Sequence, residues 1–209
     1  MEVILAFDPS GAYHEGKGTS GWCVLNKDTK AIIDIGSISA KDYPTDMQYY
    51  AANVDILRFM SRKFGSDLRV VFEDYVLYAQ QAVSQTNSHM ETCQLLGILK
   101  YNAFLLDVPY TMQMAHQVVN RWSDSVLHSK GIMQGNEFVG LMEFVPNDHE
   151  KDAYRHALHF ATFDGKEPKG EDNGLSKPDP RSLRGGTRSR SGLIPRGFCY
   201  ATEDGPGGE

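Results

Sequence analysis

Five consecutive apolar residues, Val3 to Phe7, run into an aspartate, Asp8, and then into the glycine-rich stretch "PSGAYHEGKGTSG". A short apolar run bounded by turn residues reads as a buried strand. Trp22 to Leu25 resumes the apolar pattern, so the chain bends back into a second strand. "AIIDIGSI" alternates well enough for a third, with "NKDTK" as the connection, and the three read as an antiparallel meander. A carboxylate at the end of a buried strand is costly unless something uses it.

The remaining chain supplies helices to cover the sheet. "DMQYYAANVDILRFMSRKFG" places Met47, Tyr50, Ala51, Val54, Leu57 and Met60 at helical spacing, and Gly65 closes the pattern. "LRVVFEDYV" reads as a strand that meets Glu73, and "SHMETCQLLGILKYNAFLLDV" as a second long helix. "PYTMQMAHQVV" reads as a strand and turn, and Asn120 to Pro146 as one short helix at most. "NDHEKDAYRHALHFATF" is a final helix, with Asn147 or Asp148 as its N-cap. Beyond Asp164 the chain is rich in Gly, Pro, Ser and Arg without periodicity. The expectation is an α/β domain over residues 1–164 and a disordered tail over 165–209. A meander followed by βαβ crossovers implies one mixed five-stranded sheet, three strands antiparallel and the others parallel, flanked by helices.

Whole-chain properties narrow the function classes. The three cysteines, Cys23, Cys93 and Cys199, form no CxxC pair, which argues against a disulfide framework and a zinc ribbon. No apolar run approaches the roughly 18 residues of a membrane span, and "MEVILAF" lacks the basic region of a signal peptide. These features predict a soluble, cytoplasmic protein. The net charge of −6 is uneven, because Lys177 to Arg196 holds six basic residues against Asp179 alone. There is no GxxxxGK[ST] phosphate loop. The sugar-kinase and actin type of ATPase, which also opens on an acidic strand end and a Gly/Ser turn, needs two such domains.

Four residues stand out as a set. Asp8 ends the first strand and Glu73 the fourth, and in a mixed sheet of this order those strands are neighbours. His149 and Asp152, three apart, share one face of the final helix. Such an acceptor-rich group suits one or two hard divalent cations, Mg²⁺ or, with one imidazole present, Mn²⁺. Two cations about 4 Å apart would clamp the attacking water and leaving oxygen of an in-line phosphodiester displacement. Singly, each residue has a plainer reading: Asp8 as turn chemistry, Glu73 as an exposed strand end, His149 and Asp152 as first-turn residues of a helix. His156 and His159 continue the helical stripe and read as packing or surface residues.

The ordered set resembles a known family, the RuvC-type Holliday-junction resolvases of the RNase H-like superfamily. "ILAFDPSG…GTSGWCVL" is similar to that family's opening motif, "VVFEDYV" to the strand that delivers its catalytic Glu, and "DHEKDAYRHALHFA" to its closing helix. "GILKYNAFLLDVPYTMQMAHQVV" is similar to the intervening helix and strand, so the likeness spans about residues 3–162. The resemblance implies that Asp8, Glu73, His149 and Asp152 are catalytic and bind Mg²⁺ or Mn²⁺, two per site. It also implies hydrolysis of four-way or other branched DNA to 5′-phosphate and 3′-hydroxyl products by a homodimer. The small size and divergent motifs would suit a phage-type member.

Two departures qualify it. The turn after Asp8 carries extra residues, "AYHEGKG", readable as a flexible flap over the site. Where the family often has a catalytic lysine, this chain reads "VVNRWSD", leaving Arg121 or Lys130 as the nearest basic residues. In the tail, Arg184, Arg188 and Arg190, with Arg181 and Arg196, could track phosphates. For the dimer, "MQYY" and "YNAFLL" supply apolar material on the two long helices. An RNase H or exonuclease of the same fold, or a non-catalytic nucleic-acid-binding module, are the competing readings.

Overall fold

The computed structural model describes residues 1–75, 90–141 and 144–163, all within one compact unit, Met1–Pro168. The expected tail, with its arginines, lies outside the described residues.

The meander forms as expected: β1 (Val3–Asp8), β2 (Thr19–Asn26) and β3 (Ile32–Ser39) are antiparallel neighbours. Helix α1 (Asp46–Phe64) crosses over to β4 (Leu68–Asp74), which pairs parallel to β1. Helix α2 (Glu91–Leu105) leads to β5 (Tyr110–Met114), parallel to β4. The sheet order is β3-β2-β1-β4-β5, so β1 and β4 lie at the centre. Both are buried on both faces, which is why they read as continuous apolar runs.

Alternation along β1 sorts its side chains between two cores. Val3, Leu5 and Phe7 join α1 and α2 in one core. Ile4 and Ala6 join the final helix, α5 (Asp148–Phe163), in the other, through Ala153, Tyr154, Ala157 and Leu158. Asp8 follows in the phase of Ile4 and Ala6, and Glu73 in the phase of Val71. Both carboxylates therefore fall on the α5 face, at the carboxyl edge of adjacent parallel strands.

Two expectations are corrected. Helix α1 buries Tyr49, Tyr50, Asn53, Val54, Leu57 and Met60, whereas Met47 is 62% exposed and Ala51 is exposed. The stripe is rotated because Tyr49 has polar business inside: its hydroxyl donates to Ser10 O at 2.6 Å and lies 2.7 Å from Ser20 Oγ. Asn53 Nδ2 donates to Tyr49 O at 2.9 Å. Secondly, the segment after β5 is more structured than its sequence suggests. Helices α3 (Ala115–Arg121) and α4 (Asp124–Ser129) precede a small hairpin of β6 (Met133–Gln134) and β7 (Glu137–Phe138). Val118, Leu127, Met133 and Phe138, one buried residue per short element, and Trp122 between α3 and α4 hold it to α5, a pattern without legible periodicity. Among the described residues no helix is long and apolar enough to cross a membrane.

Candidate functional site

Strand register lines up one row of residues across the carboxyl edge of the sheet. Gly21 of β2 pairs with Asp8 of β1, and Glu73 of β4 pairs with Gln113 of β5. Ala6 pairs with Val71, so two residues on, Asp8 stands beside Glu73. Helix α5 passes over this row with residues 149, 152 and 156 on the side facing it, while His159, further along, accepts from Trp122 Nε1 at 3.3 Å.

Its first turn is fixed by a reciprocal cap: Asn147 N–H donates to Glu150 Oε2 at 2.8 Å, and Glu150 N–H donates to Asn147 Oδ1 at 2.9 Å. Gly21 lets that turn descend onto β2, because a Cβ there would overlap the His149 carbonyl. His149 Nδ1 consequently lies 2.7 Å from Asp8 Oδ2.

Asp8 is only 8% exposed. Burial pushes its carboxyl up to about 6, the charges of Glu73 and Asp152 push the same way, and the His149 hydrogen bond and charge pull against them. His149 is raised too, first by its hydrogen bond to Asp8, against the cost of burial, and further by the charges of Asp8, Asp152 and Glu73. The edge is thus a pocket of negative potential. Each member is turned onto a protein partner: Asp8 onto His149, Glu73 Oε2 onto His156 Nε2 at 3.0 Å, and Asp152 onto Arg155. The Arg155 guanidinium also grips Asp124 and donates from Nε to Trp122 O at 3.0 Å, tying α5 to the start of α4.

The four expected residues are therefore brought to one edge. Among the described residues no group of three His, Cys, Asp or Glu side chains is already gathered tightly enough to hold a metal ion. The donor chemistry nevertheless fits one: three carboxylates and an imidazole suit a hard divalent cation, and among the described residues the buried Asp8 carboxylate is paired with the half-buried His149 imidazole.

Other expected residues fall elsewhere. Arg121 stacks on the Phe163 ring, 5.0 Å from its centroid. Phe163 is fourteen residues beyond His149 in α5, about 21 Å at 1.5 Å per residue. Lys130 lies 5.9 Å from the Trp122 ring and lines a cleft with Ile32, Leu158 and Thr162, also toward the far end of α5. Neither basic side chain stands with the carboxylates. Arg184, Arg188 and Arg190 lie outside the described residues.

The turn after Asp8 is hydrogen-bonded to the start of α2 and to Tyr43. Glu91, buried at the start of α2, accepts from Tyr13 N–H at 2.5 Å and from the His14 backbone and ring. Gly11 N–H donates to Thr92 Oγ1 at 3.0 Å, and Tyr13 Oη donates to Tyr43 O at 2.9 Å. Pro9, Glu73, Asp74, Tyr75, Thr92, Ala115 and His116 line a small cleft beside this loop.

Sequence reasoning missed His156, Arg155 and Gln113. His156 was legible in principle: it lies seven residues from His149 and four from Asp152, on the same face of a helix whose stripe was already in view. Gln113 gave no signal, since one polar residue in a short strand reads as an exposed position.

No protein-family model matches the sequence, and no curated protein matches it. Solved structures do. A Thermus thermophilus RuvC in complex with a Holliday junction substrate aligns at 15% identity, covering 80% of this chain and 99% of that one, with a TM-score of 0.56. A second Thermus thermophilus RuvC structure aligns at 17% identity over 78% of this chain and 95% of that one, also at 0.56. The chain has the fold of these proteins, an RNase H-like mixed sheet flanked by helices.

Proposed function

We propose that this chain is a divalent-metal-dependent nuclease that cuts branched DNA, most specifically a four-way-junction endonuclease. The observation that carries this reading is the convergence of Asp8, Glu73, His149 and Asp152 on one sheet edge, from three separated stretches of sequence. Ligands in open α/β sheets bind beyond the carboxyl ends of the strands, where this edge lies. The fold shared with a RuvC bound to a Holliday junction supports DNA as the substrate class.

In this reading Asp8, Glu73, His149 and Asp152 hold the cation, Mg²⁺ or Mn²⁺. When bound, it supplies Lewis acidity toward the phosphate and toward water. The chain's own residues do the positioning. Asp8, buried and held by β1, is the central acceptor. Arg155 orients Asp152 while also holding Asp124 and the Trp122 carbonyl. His149, on the first turn of α5, is the most exposed of the four side chains.

A junction with paired cuts calls for two sites related by a two-fold axis, so we also propose a homodimer. The α1–α2 side exposes Phe59, Tyr101, Phe104 and Leu105, with Phe104 at 74%. Of "MQYY" only Met47 contributes among the large apolar residues, because Tyr49 and Tyr50 are buried. Phe104→Glu should turn a dimer into a monomer by light scattering.

The test of activity is direct. Labelled four-way junction, linear duplex and RNA–DNA hybrid are incubated with Mg²⁺, Mn²⁺ or EDTA, beside an Asp8→Asn control. Paired metal-dependent nicks in the junction alone, lost in the control, support the reading. Cutting of the hybrid would move the function to RNase H, and binding without cutting would favour a non-catalytic module.

A further inference from the structure

His156 sits at the centre of a hydrogen-bonded chain behind Glu73 that the four-residue set does not include. It is fully buried, its Nε2 lies 3.0 Å from Glu73 Oε2, and its Nδ1 lies 2.9 Å from Gln113 Oε1. An ionised carboxylate only accepts, so the proton between His156 and Glu73 belongs to Nε2. This holds for either face of the Gln113 amide. With Oε1 toward Nδ1, the amide Nε2 of Gln113 is buried without a partner. Turned over, the amide donates to Nδ1 and the ring's proton sits on Nε2. In both cases Nε2–H is aimed at Glu73, and the ring cannot rotate without breaking the Gln113 contact.

The consequence lies in what Glu73 has left to offer. Oε2 is held by His156, while Oε1 has no hydrogen-bond partner among the described residues. Building on the nuclease reading, we propose that His156 is a positioning residue that restricts Glu73 to one-oxygen ligation and thereby makes the site selective for Mg²⁺ and Mn²⁺ over Ca²⁺. The physical reason is coordination number. Mg²⁺ takes six ligands in a near-ideal octahedron and keeps several waters, whereas Ca²⁺ takes six to eight oxygens and readily accepts both oxygens of a carboxylate. The hydrogen bond to the buried imidazole commits one lone pair of Oε2 and fixes the tilt of the carboxylate, which disfavours ligation through both oxygens. Behind it, Gln113 fixes the ring, so the restriction is built from the two parallel strands and α5 together.

The experiment separates this role from mere packing. A glutamine side chain at position 156 reaches roughly where Nε2 stands, and an asparagine roughly where Nδ1 stands. His156→Gln therefore keeps a donor on Glu73 and gives up Gln113, and His156→Asn does the reverse. Mn²⁺ binding is followed by electron paramagnetic resonance, with Ca²⁺ as competitor, in the full chain without DNA. Thermal unfolding is recorded in parallel, and both variants are expected to lose similar stability. In His156→Asn the affinity ratio should shift toward Ca²⁺ by about tenfold, at the low end of the 10- to 100-fold usual for groups behind a metal ligand. In His156→Gln it should stay near that of the unaltered chain.

Equal ratios in all three proteins would overturn the proposal and leave the nuclease site intact. Absence of Mn²⁺ binding that Asp8→Asn can abolish would overturn the site reading, and this inference with it. If both variants fail to fold, the unaltered chain still decides. Nitrogen–proton correlation spectra should show His156 protonated at Nε2 both before and after Mg²⁺ is added. Loss of that proton on Mg²⁺ binding would mean that Glu73 had left His156, and the proposal would fall.

Discussion

Replacing Asp8 by asparagine should stabilise the metal-free protein while abolishing its metal binding. Asp8 is nearly buried, and its carboxyl is pushed from 3.8 to about 6, with burial as the largest cause and His149 already counted against it. A raised acid costs nothing below its unfolded value, where it is protonated in both states. The cost grows as pH rises from about 4 to about 6 and is complete above that. At roughly 1.36 kcal/mol per unit the ionised carboxylate costs the fold at most about 3 kcal/mol. Asp8→Asn keeps the shape and removes the charge, so its gain should be largest near pH 8.5 and vanish near pH 4. For a domain of this size about 2 kcal/mol corresponds to a rise of roughly 4–8 °C in Tm. The assay is thermal unfolding of both proteins in EDTA across pH 4–8.5, repeated with Mg²⁺. Mg²⁺ should raise the Tm of the unaltered chain and leave the variant unmoved. An Asp8→Asn protein no more stable than its parent at pH 8.5, or equally stabilised at pH 4, would refute the claim that this carboxylate is held at a cost.

Three further outcomes follow from the same geometry. Gly21→Ala should destabilise by about 1–3 kcal/mol, as overpacking does, and weaken Mn²⁺ binding, because its Cβ displaces the first turn of α5 and with it His149. Calorimetry and Mn²⁺ titration would check both. Mn²⁺ affinity should fall steeply as pH drops below about 6, since cation and proton compete for Asp8; a flat affinity between pH 7 and pH 5 would exclude Asp8 as a ligand. Glu91→Ala should cost about 1–3 kcal/mol by stripping the Tyr13 and His14 N–H groups of their acceptor. Limited proteolysis within residues 11–18 should become faster in that variant.

Much of this was legible along the chain because the relevant physics is local. Buried central strands must be apolar on both faces, so β1 and β4 announced themselves, and an Asp or Glu at the end of each stood out against that background. Helical periodicity located α1, α2 and α5, and Asn147 or Asp148 marked the start of α5 as an N-cap. Strand order followed from crossover rules, which bring Asp8 and Glu73 to neighbouring strands before any coordinate is known. Segments α3 and α4 and the β6–β7 hairpin escaped because each offers one or two buried residues, too few to show a period.

What the tertiary structure alone decided is which partner each of these side chains has. His149 reaches Asp8 only because Gly21 admits the first turn of α5 to the sheet. Arg155 serves Asp152 and Asp124 together only because α4 comes to lie beside α5. His156 became part of the site because β5 sets Gln113 in register with Glu73 and α5 passes over both. Periodicity says that a residue faces inward, but it carries no information about what arrives from the other side. That depends on register and on the docking of one element against another, contacts between residues about 40 to 140 positions apart. The edge position of the acidic residues belongs to the sequence, and their pairing belongs to the packed fold.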